Sequence, residues 1–146
     1  MENVVITDLE YQKSESLCLE YKDRINWIPC ADDEESVAKT VEQHGARIAV
    51  LGITKYKEAL YAALSKNSGN EPGLIVRYGV GYDGVDLDQC KKYNVILAIT
   101  PGASSVAVAE CAFVHMLSLA RHVPRLDKEM KEGKYEHKTG FELGGK

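Results

Sequence analysis

The chain has 146 residues, about the length of one domain, and it is 45% apolar and 27% charged. That composition excludes disordered, collagen-like and membrane-embedded classes. The net charge of −4, from 18 basic and 22 acidic side chains, argues against a nucleic-acid partner, which selects basic surfaces. The charge is uneven: residues 1–120 hold 11 basic and 17 acidic groups, and residues 121–146 hold 7 and 5. The tail is too mixed for a polybasic membrane anchor. Met1 to Ile6 has neither a basic leader nor a long apolar stretch, so no signal peptide is predicted. Cys18, Cys30, Cys90 and Cys111 show neither a Cys-x-x-Cys pair nor a histidine at zinc spacing. Reduced thiols, a cytoplasmic location and no metal site are therefore expected.

Short β-branched runs alternate with helix-period segments. Val4-Val5-Ile6 is predicted as a first strand, with Asp8 at its end, followed by a weakly patterned helix over 13–23. Ile25 to Ile28 is a second strand, stopped by Pro29. Asp32 or Asp33 caps the next helix, whose Val37, Val41 and His44 share a stripe, so His44 is expected to border the core. Ile48 to Gly52 is an apolar third strand, and 56–65 a helix with Leu60 and Leu64 on one side. After the turn Ser68-Gly69-Asn70-Glu71-Pro72-Gly73 comes a fourth strand, Leu74 to Tyr78. Asp86 then caps a helix over 87–93, and Val95 to Ile99 forms a fifth strand. Strands and helices alternating in this way predict an α/β fold with a doubly wound parallel sheet of five strands.

From Ser104 or Ser105 to about His122 a helix is predicted that is apolar nearly all round, interrupted by Glu110, His115 and Arg121. Those interruptions argue against a membrane span. A helix without a polar face needs enclosure by protein, so it is expected to pack on a second domain or another subunit. No folded element is predicted from Pro124 onward.

Between the fourth strand and its helix lies Gly79-Val80-Gly81-Tyr82-Asp83-Gly84, a literal G-x-G-x-x-G. A dinucleotide fingerprint also needs a carboxylate closing the next strand, and that strand ends Ala98-Ile99-Thr100-Pro101 without one. Asp83, Asp86 and Asp88 would also repel a pyrophosphate. A smaller anion suits the loop better. Glycines beside Val80 let backbone N–H groups turn outward together and hold one carboxylate. The same spacing equally suits a tight turn that uses glycine for positive φ. Tyr78 and Tyr82 are placed either to wall such a pocket or to cover the sheet edge. An acidic metal pocket from Asp8 with Asp32 or Asp33 is disfavoured against turn and cap roles.

The run Leu-Ile-Val-Arg-Tyr-Gly-Val-Gly-Tyr-Asp-Gly-Val-Asp-Leu from Leu74, then Ile-Thr-Pro-Gly-Ala-Ser-Ser-Val-Ala-Val-Ala-Glu from Ile99, then Leu-Ala-Arg-His-Val-Pro and Gly-Lys-Tyr up to Tyr135, resembles the D-isomer-specific 2-hydroxyacid dehydrogenases. The flavour is that of the phosphoglycerate dehydrogenase-like branch. The resemblance implies a flavodoxin-like substrate-binding domain over 1–100. Over 101–146 it implies a linking helix and the start of a dinucleotide-binding domain. It implies substrate contacts at Tyr78, Gly79, Val80 and Gly81, with the backbone of Val80 and Gly81 on the substrate carboxylate. Thr100 and Val108 would lie near the nicotinamide of NAD or NADP, and a homodimer would form through 105–120. The family's G-x-G-x-x-G, arginine, acid and histidine for hydride transfer fall after Lys146. No catalytic residue is therefore expected within this chain, and the chain alone is expected to be inactive. The substrate implied is a small 2-hydroxy or 2-oxo acid. A free-standing flavodoxin-like module for a small carboxylate is the alternative reading.

The chain departs from the family at Gly84 and Ile99, where asparagine is usual, and at Tyr135, where tryptophan is usual. It also departs at Leu51-Gly52, where an Arg-Ser-like pair is usual. Without that arginine the resemblance does not extend to phosphoglycerate. Lys55 is the nearby candidate to substitute for it, as a point charge lacking a bidentate fork.

Overall fold

The computed structural model describes residues 1–145, which form two compact units, Met1–Ala103 and the segment from Ser104 onward. The first unit contains β1 (Glu2–Thr7), α1 (Asp8–Glu20), β2 (Ile25–Cys30), α2 (Glu34–Gln43), β3 (Ile48–Leu51), α3 (Glu58–Asn67), β4 (Gly73–Arg77), α4 (Leu87–Lys92) and β5 (Val95–Ala98). All five strands are parallel, in the order β2-β1-β3-β4-β5. This is the predicted doubly wound α/β sheet in its flavodoxin-like order, reversing direction between β1 and β3.

Right-handed crossovers dictate the layers. Val37 and Val41 of α2 and Leu60 and Leu64 of α3 are fully buried, in one core with Val5, Ala49, Leu51 and Ile75 of the sheet. Cys18 of α1 packs with Val4, Ile6 and Val50 in a second, smaller cluster. The i, i+4 spacing of the α2 and α3 pairs is what places each on one side of its helix.

Four local expectations need correction. α1 starts at Asp8, five residues before the predicted helix, and kinks at Ser14 (φ −125°, ψ 18°), whose hydroxyl donates to the Glu10 carbonyl at 2.7 Å. Leu9, Leu17 and Leu19 of this helix stay exposed, so no apolar stripe marks its extent in the sequence. Pro29 does not stop β2, which continues to Cys30. Because β2 is an edge strand, a residue without an N–H is tolerated there. His44 is exposed at the carboxyl end of α2 and does not border the core. Finally, the region after Pro124 is not featureless.

In the second unit α5 (Ser105–Ala120) is followed by α6 (Val123–Lys131). Pro124 lies in the first turn of α6, where its missing N–H costs no helical bond. The Phe141 amide donates to the Ala120 carbonyl at 2.8 Å, tying the tail to the end of α5. None of the sixteen residues of α5 is buried. No single helix among the described residues is long and apolar enough to cross a membrane, although α5 and α6 together, bent by 62°, reach the length and composition.

Candidate functional site

The carboxyl ends of β3 and β4 are adjacent in register, Leu51 opposite Arg77. The loops that leave them enclose a cleft of about 260 Å³ lined by Ile53, Lys55, Arg77, Gly81, Asp83 and Gly84. One wall is the β3–α3 loop. The Thr54 hydroxyl donates to Asp32 at 2.7 Å, and the Tyr56 hydroxyl donates to the same carboxylate. Glu34 accepts the Lys57 and Ala59 amides at 2.9 and 3.0 Å, capping α3 from a neighbouring helix. Asp33, by contrast, caps its own helix through the Ser36 amide at 2.9 Å. Asp32 and Asp33 are thus occupied in holding loops, and no group of three or more His, Cys, Asp or Glu side chains among the described residues could hold a metal ion.

The other wall is the glycine loop. Its start is fixed by the Tyr78 amide, which donates to Leu51 O at 2.9 Å, and by the Gly79 amide, which donates to Arg77 O at 2.8 Å. Its end is held by the Val85 amide on Tyr82 O at 2.9 Å and by the Asp86 amide on the buried Tyr61 hydroxyl at 2.8 Å. Between these anchors the amides of Val80, Gly81, Tyr82, Asp83 and Gly84 donate to no protein group among the described residues. Only Gly79 has positive φ, at 140°. A Cβ at Gly81 would meet nothing within 4 Å, so neither strain nor crowding explains glycine there.

Arg77 is only 9% exposed, yet no acidic side chain pairs with it among the described residues. Its Nη1 donates to the Tyr78 carbonyl. A nearly buried guanidinium normally has an anionic partner, and this one borders an open cleft.

Two departures from the family pattern acquire a physical reason. A Cβ at Gly84 would sit 2.8 Å from both the Ile53 and Thr54 carbonyl oxygens, so the β3–α3 loop approaches too closely for asparagine. At Gly52 a Cβ would sit 2.8 Å from the Glu10 carboxylate. Glu10 is buried, accepts the Thr7 hydroxyl and pairs with Lys13 at 3.2 Å, so it fills the space a serine would need.

The structure brings Tyr78, Gly79, Val80 and Gly81 together with Thr100, whose amide donates to Gly79 O at 3.1 Å. Val108 belongs to the other unit, on α5, where it is exposed. Sequence reasoning passed over Arg77 and the carbonyl approach at Gly84. Arg77 could have been found as the single charge closing an otherwise apolar parallel strand, at the end where such sheets bind ligands. The glycine loop does not fit a dinucleotide pyrophosphate. The Asp86 carboxylate already accepts the Asp88 and Gln89 amides at 2.9 and 3.1 Å, using the α4 N-terminus that would otherwise receive it.

Beside the cleft, burial and then the nearby Asp8 push the Cys30 thiol up to about 11, and burial with the Asp32 hydrogen bond also raises Tyr56. Both groups favour their neutral form in the folded state. The Cys30 contribution to stability is intact below pH 9 and is lost as pH climbs from 9 toward 11, whereas that of Tyr56 begins to be lost only above pH 10. The denaturant midpoint of the chain is expected to fall across that interval, and less steeply in a Cys30→Ala variant. An identical slope in both proteins would refute this assignment.

A cleft at the carboxyl ends of parallel strands, lined by Arg77 and the glycine loop, belongs to a doubly wound α/β protein of flavodoxin-like strand order. Residues 4–137 match the family described as D-isomer specific 2-hydroxyacid dehydrogenase, catalytic domain, and the chain belongs to that family. It is 42% identical over 81 residues to a hydroxypyruvate reductase of Thermotoga maritima, covering 54% of this chain and 26% of that protein. It is 39% identical over 75 residues to a D-3-phosphoglycerate dehydrogenase of Archaeoglobus fulgidus, covering 50% and 14%. The matched segments thus span 26% and 14% of these relatives' own lengths. The crystal structure of D-lactate dehydrogenase from Aquifex aeolicus, complexed with NAD and lactic acid, shares the fold at a TM-score of 0.72 and 21% identity. That match covers 94% of this chain and 39% of that one.

Proposed function

We propose that this chain is the substrate-binding portion of an NAD(P)-dependent oxidoreductase that interconverts a 2-hydroxy acid and a 2-oxo acid by hydride transfer. In this reading the Val80 and Gly81 amides hold the substrate carboxylate, and Tyr78 and Gly79 complete the substrate contacts. The observation that supports it most is the run of unclaimed loop amides, those of Val80 and Gly81 among them, beside a nearly buried arginine that lacks an acidic partner among the described residues. Preorganised N–H groups bind an anion without paying to reorganise, and the positive field of Arg77 adds to their pull.

Thr100 and Val108 are assigned to the approach of the nicotinamide, and residues 1–100 and 101–146 to substrate binding and to the linking helix. Hydride transfer is assigned to no residue of this chain, and the 146-residue polypeptide is expected to show no turnover and no tight NADH binding. Partnership with a second copy through 105–120 belongs to the same proposal.

The test is an amide-resolved NMR titration of the chain with pyruvate. The Val80 and Gly81 resonances are expected to shift first and furthest, saturating in the millimolar range. Unmoved resonances at these two positions up to tens of millimolar pyruvate would overturn the assignment. Stoichiometric quenching of NADH fluorescence at low micromolar protein would overturn the cofactor part alone.

A further inference from the structure

We propose that Lys13 is a positioning residue for the substrate-binding loop, acting through the Tyr78 ring, and that the buried Glu10 carboxylate serves to hold it there. This rests on the reading of Tyr78, Val80 and Gly81 as substrate contacts and adds what fixes the first of them. The Tyr78 backbone is tied on both sides: its amide donates to Leu51 O at 2.9 Å and its carbonyl accepts from Arg77. The side chain is 41% exposed, so backbone anchoring alone leaves the ring free to change rotamer. Lys13 Nζ stands 5.9 Å from the ring centroid, within the range over which an ammonium is attracted to an aromatic face.

The ammonium is itself fixed. It lies 3.2 Å from Oε1 of Glu10, whose side chain is 4% exposed, and the other Glu10 oxygen accepts the buried Thr7 hydroxyl. Space for that carboxylate exists only because position 52 is glycine, where a Cβ would lie 2.8 Å from Oε1. Thr7 ends β1, Gly52 follows β3 and Tyr78 follows β4, so three strand ends converge on one cation. Stability is a poor reason for the arrangement. A buried ion pair seldom outperforms apolar packing of similar volume, and Leu9 in the same turn is left 53% exposed. The turn is also set apart from the rest of α1 by the kink at Ser14, whose hydroxyl takes the Glu10 carbonyl. A short helical segment that buries a carboxylate rather than its leucine, and holds an ammonium against a residue of the binding loop, is built to orient that residue.

The experiment titrates pyruvate into the 146-residue chain and follows the native Val80 and Gly81 amide resonances. These report folded molecules only, so a change in stability does not imitate a change in affinity. Lys13→Met is expected to raise the pyruvate dissociation constant about threefold, the scale of one exposed cation–π contact, and to shift the Tyr78 ring resonances. Lys13→Arg, whose guanidinium both pairs with a carboxylate and stacks on an aromatic face, is expected to restore the parent value. Should the unpaired Glu10 carboxylate unfold Lys13→Met, the combination Glu10→Gln with Lys13→Met removes both charges and carries the same expectation. Tyr78→Leu is expected to weaken binding by itself, and adding Lys13→Met to it should change nothing further, the coupling that a double-mutant cycle isolates. An unchanged dissociation constant without the lysine, no recovery with Lys13→Arg, or the same loss in both backgrounds overturns the positioning role and leaves the carboxylate site standing. Absence of any pyruvate shift at Val80 and Gly81 in the parent chain overturns the underlying reading as well.

Discussion

An alanine at position 84 is expected to destabilise the first unit by about 2 kcal/mol, the cost of forcing a methyl into filled space. The added carbon would lie 2.8 Å from two backbone oxygens, those of Ile53 and Thr54. Neither can retreat alone. Thr54 and Tyr56 are tied to Asp32, and the amides of Lys57 and Ala59 to Glu34, so relief requires moving the whole β3–α3 loop or the glycine loop. The penalty is overlap, because φ at Gly84 is not positive. Gly81→Ala is the internal control: a Cβ there meets nothing within 4 Å, and its stability should stay within about 0.5 kcal/mol of the parent. Guanidinium denaturation of the three proteins measures both effects. Matching midpoints for Gly84→Ala and the parent would show that the two loops do not approach as described.

The contrast between those glycines shows what the sequence makes legible. Strand order, helix order and the buried pairs Val37–Val41 and Leu60–Leu64 follow from periodicity, because burial on one face imposes a spacing that survives in the chain. The glycine loop is visible for a similar reason, since its place between a strand and a capped helix is written locally. What cannot be read is any feature formed by residues distant in sequence. Asp32 looks like a helix cap until the structure brings Thr54 and Tyr56 to it, and Arg77 looks like a strand-end charge until its lack of a partner is seen. Gly52 and Gly84 read as losses of family side chains, yet each is filled by a neighbour ten or more residues away, Glu10 and the Ile53–Thr54 carbonyls. The start of α1 is hidden because Leu9, Leu17 and Leu19 do not face a core. The α6 helix is hidden because its face buries nothing completely.

Self-association of the chain through α5 is the second large effect expected. Val106, Val108, Phe113, Val114, Met116, Leu117 and Leu119 are each at least 45% exposed, and such a concentration of apolar side chains on one helix exceeds what a monomeric surface ordinarily leaves in water. Full burial of a side chain of this size is worth roughly 1.5–3 kcal/mol. Several together on each copy exceed the association cost of about 4–15 kcal/mol. Sedimentation velocity of the 16.2 kDa chain is therefore expected to show dimers or larger species at micromolar concentration. The double substitution Phe113→Glu with Leu117→Lys places an ion pair at i, i+4 in the orientation that supports a helix, so it removes apolar surface without unwinding α5. That variant is expected to sediment as a monomer with unchanged helical circular dichroism. A parent chain that remains monomeric at about 100 μM, where even a weak apolar contact accumulates, would show that α5 has no affinity for its own kind.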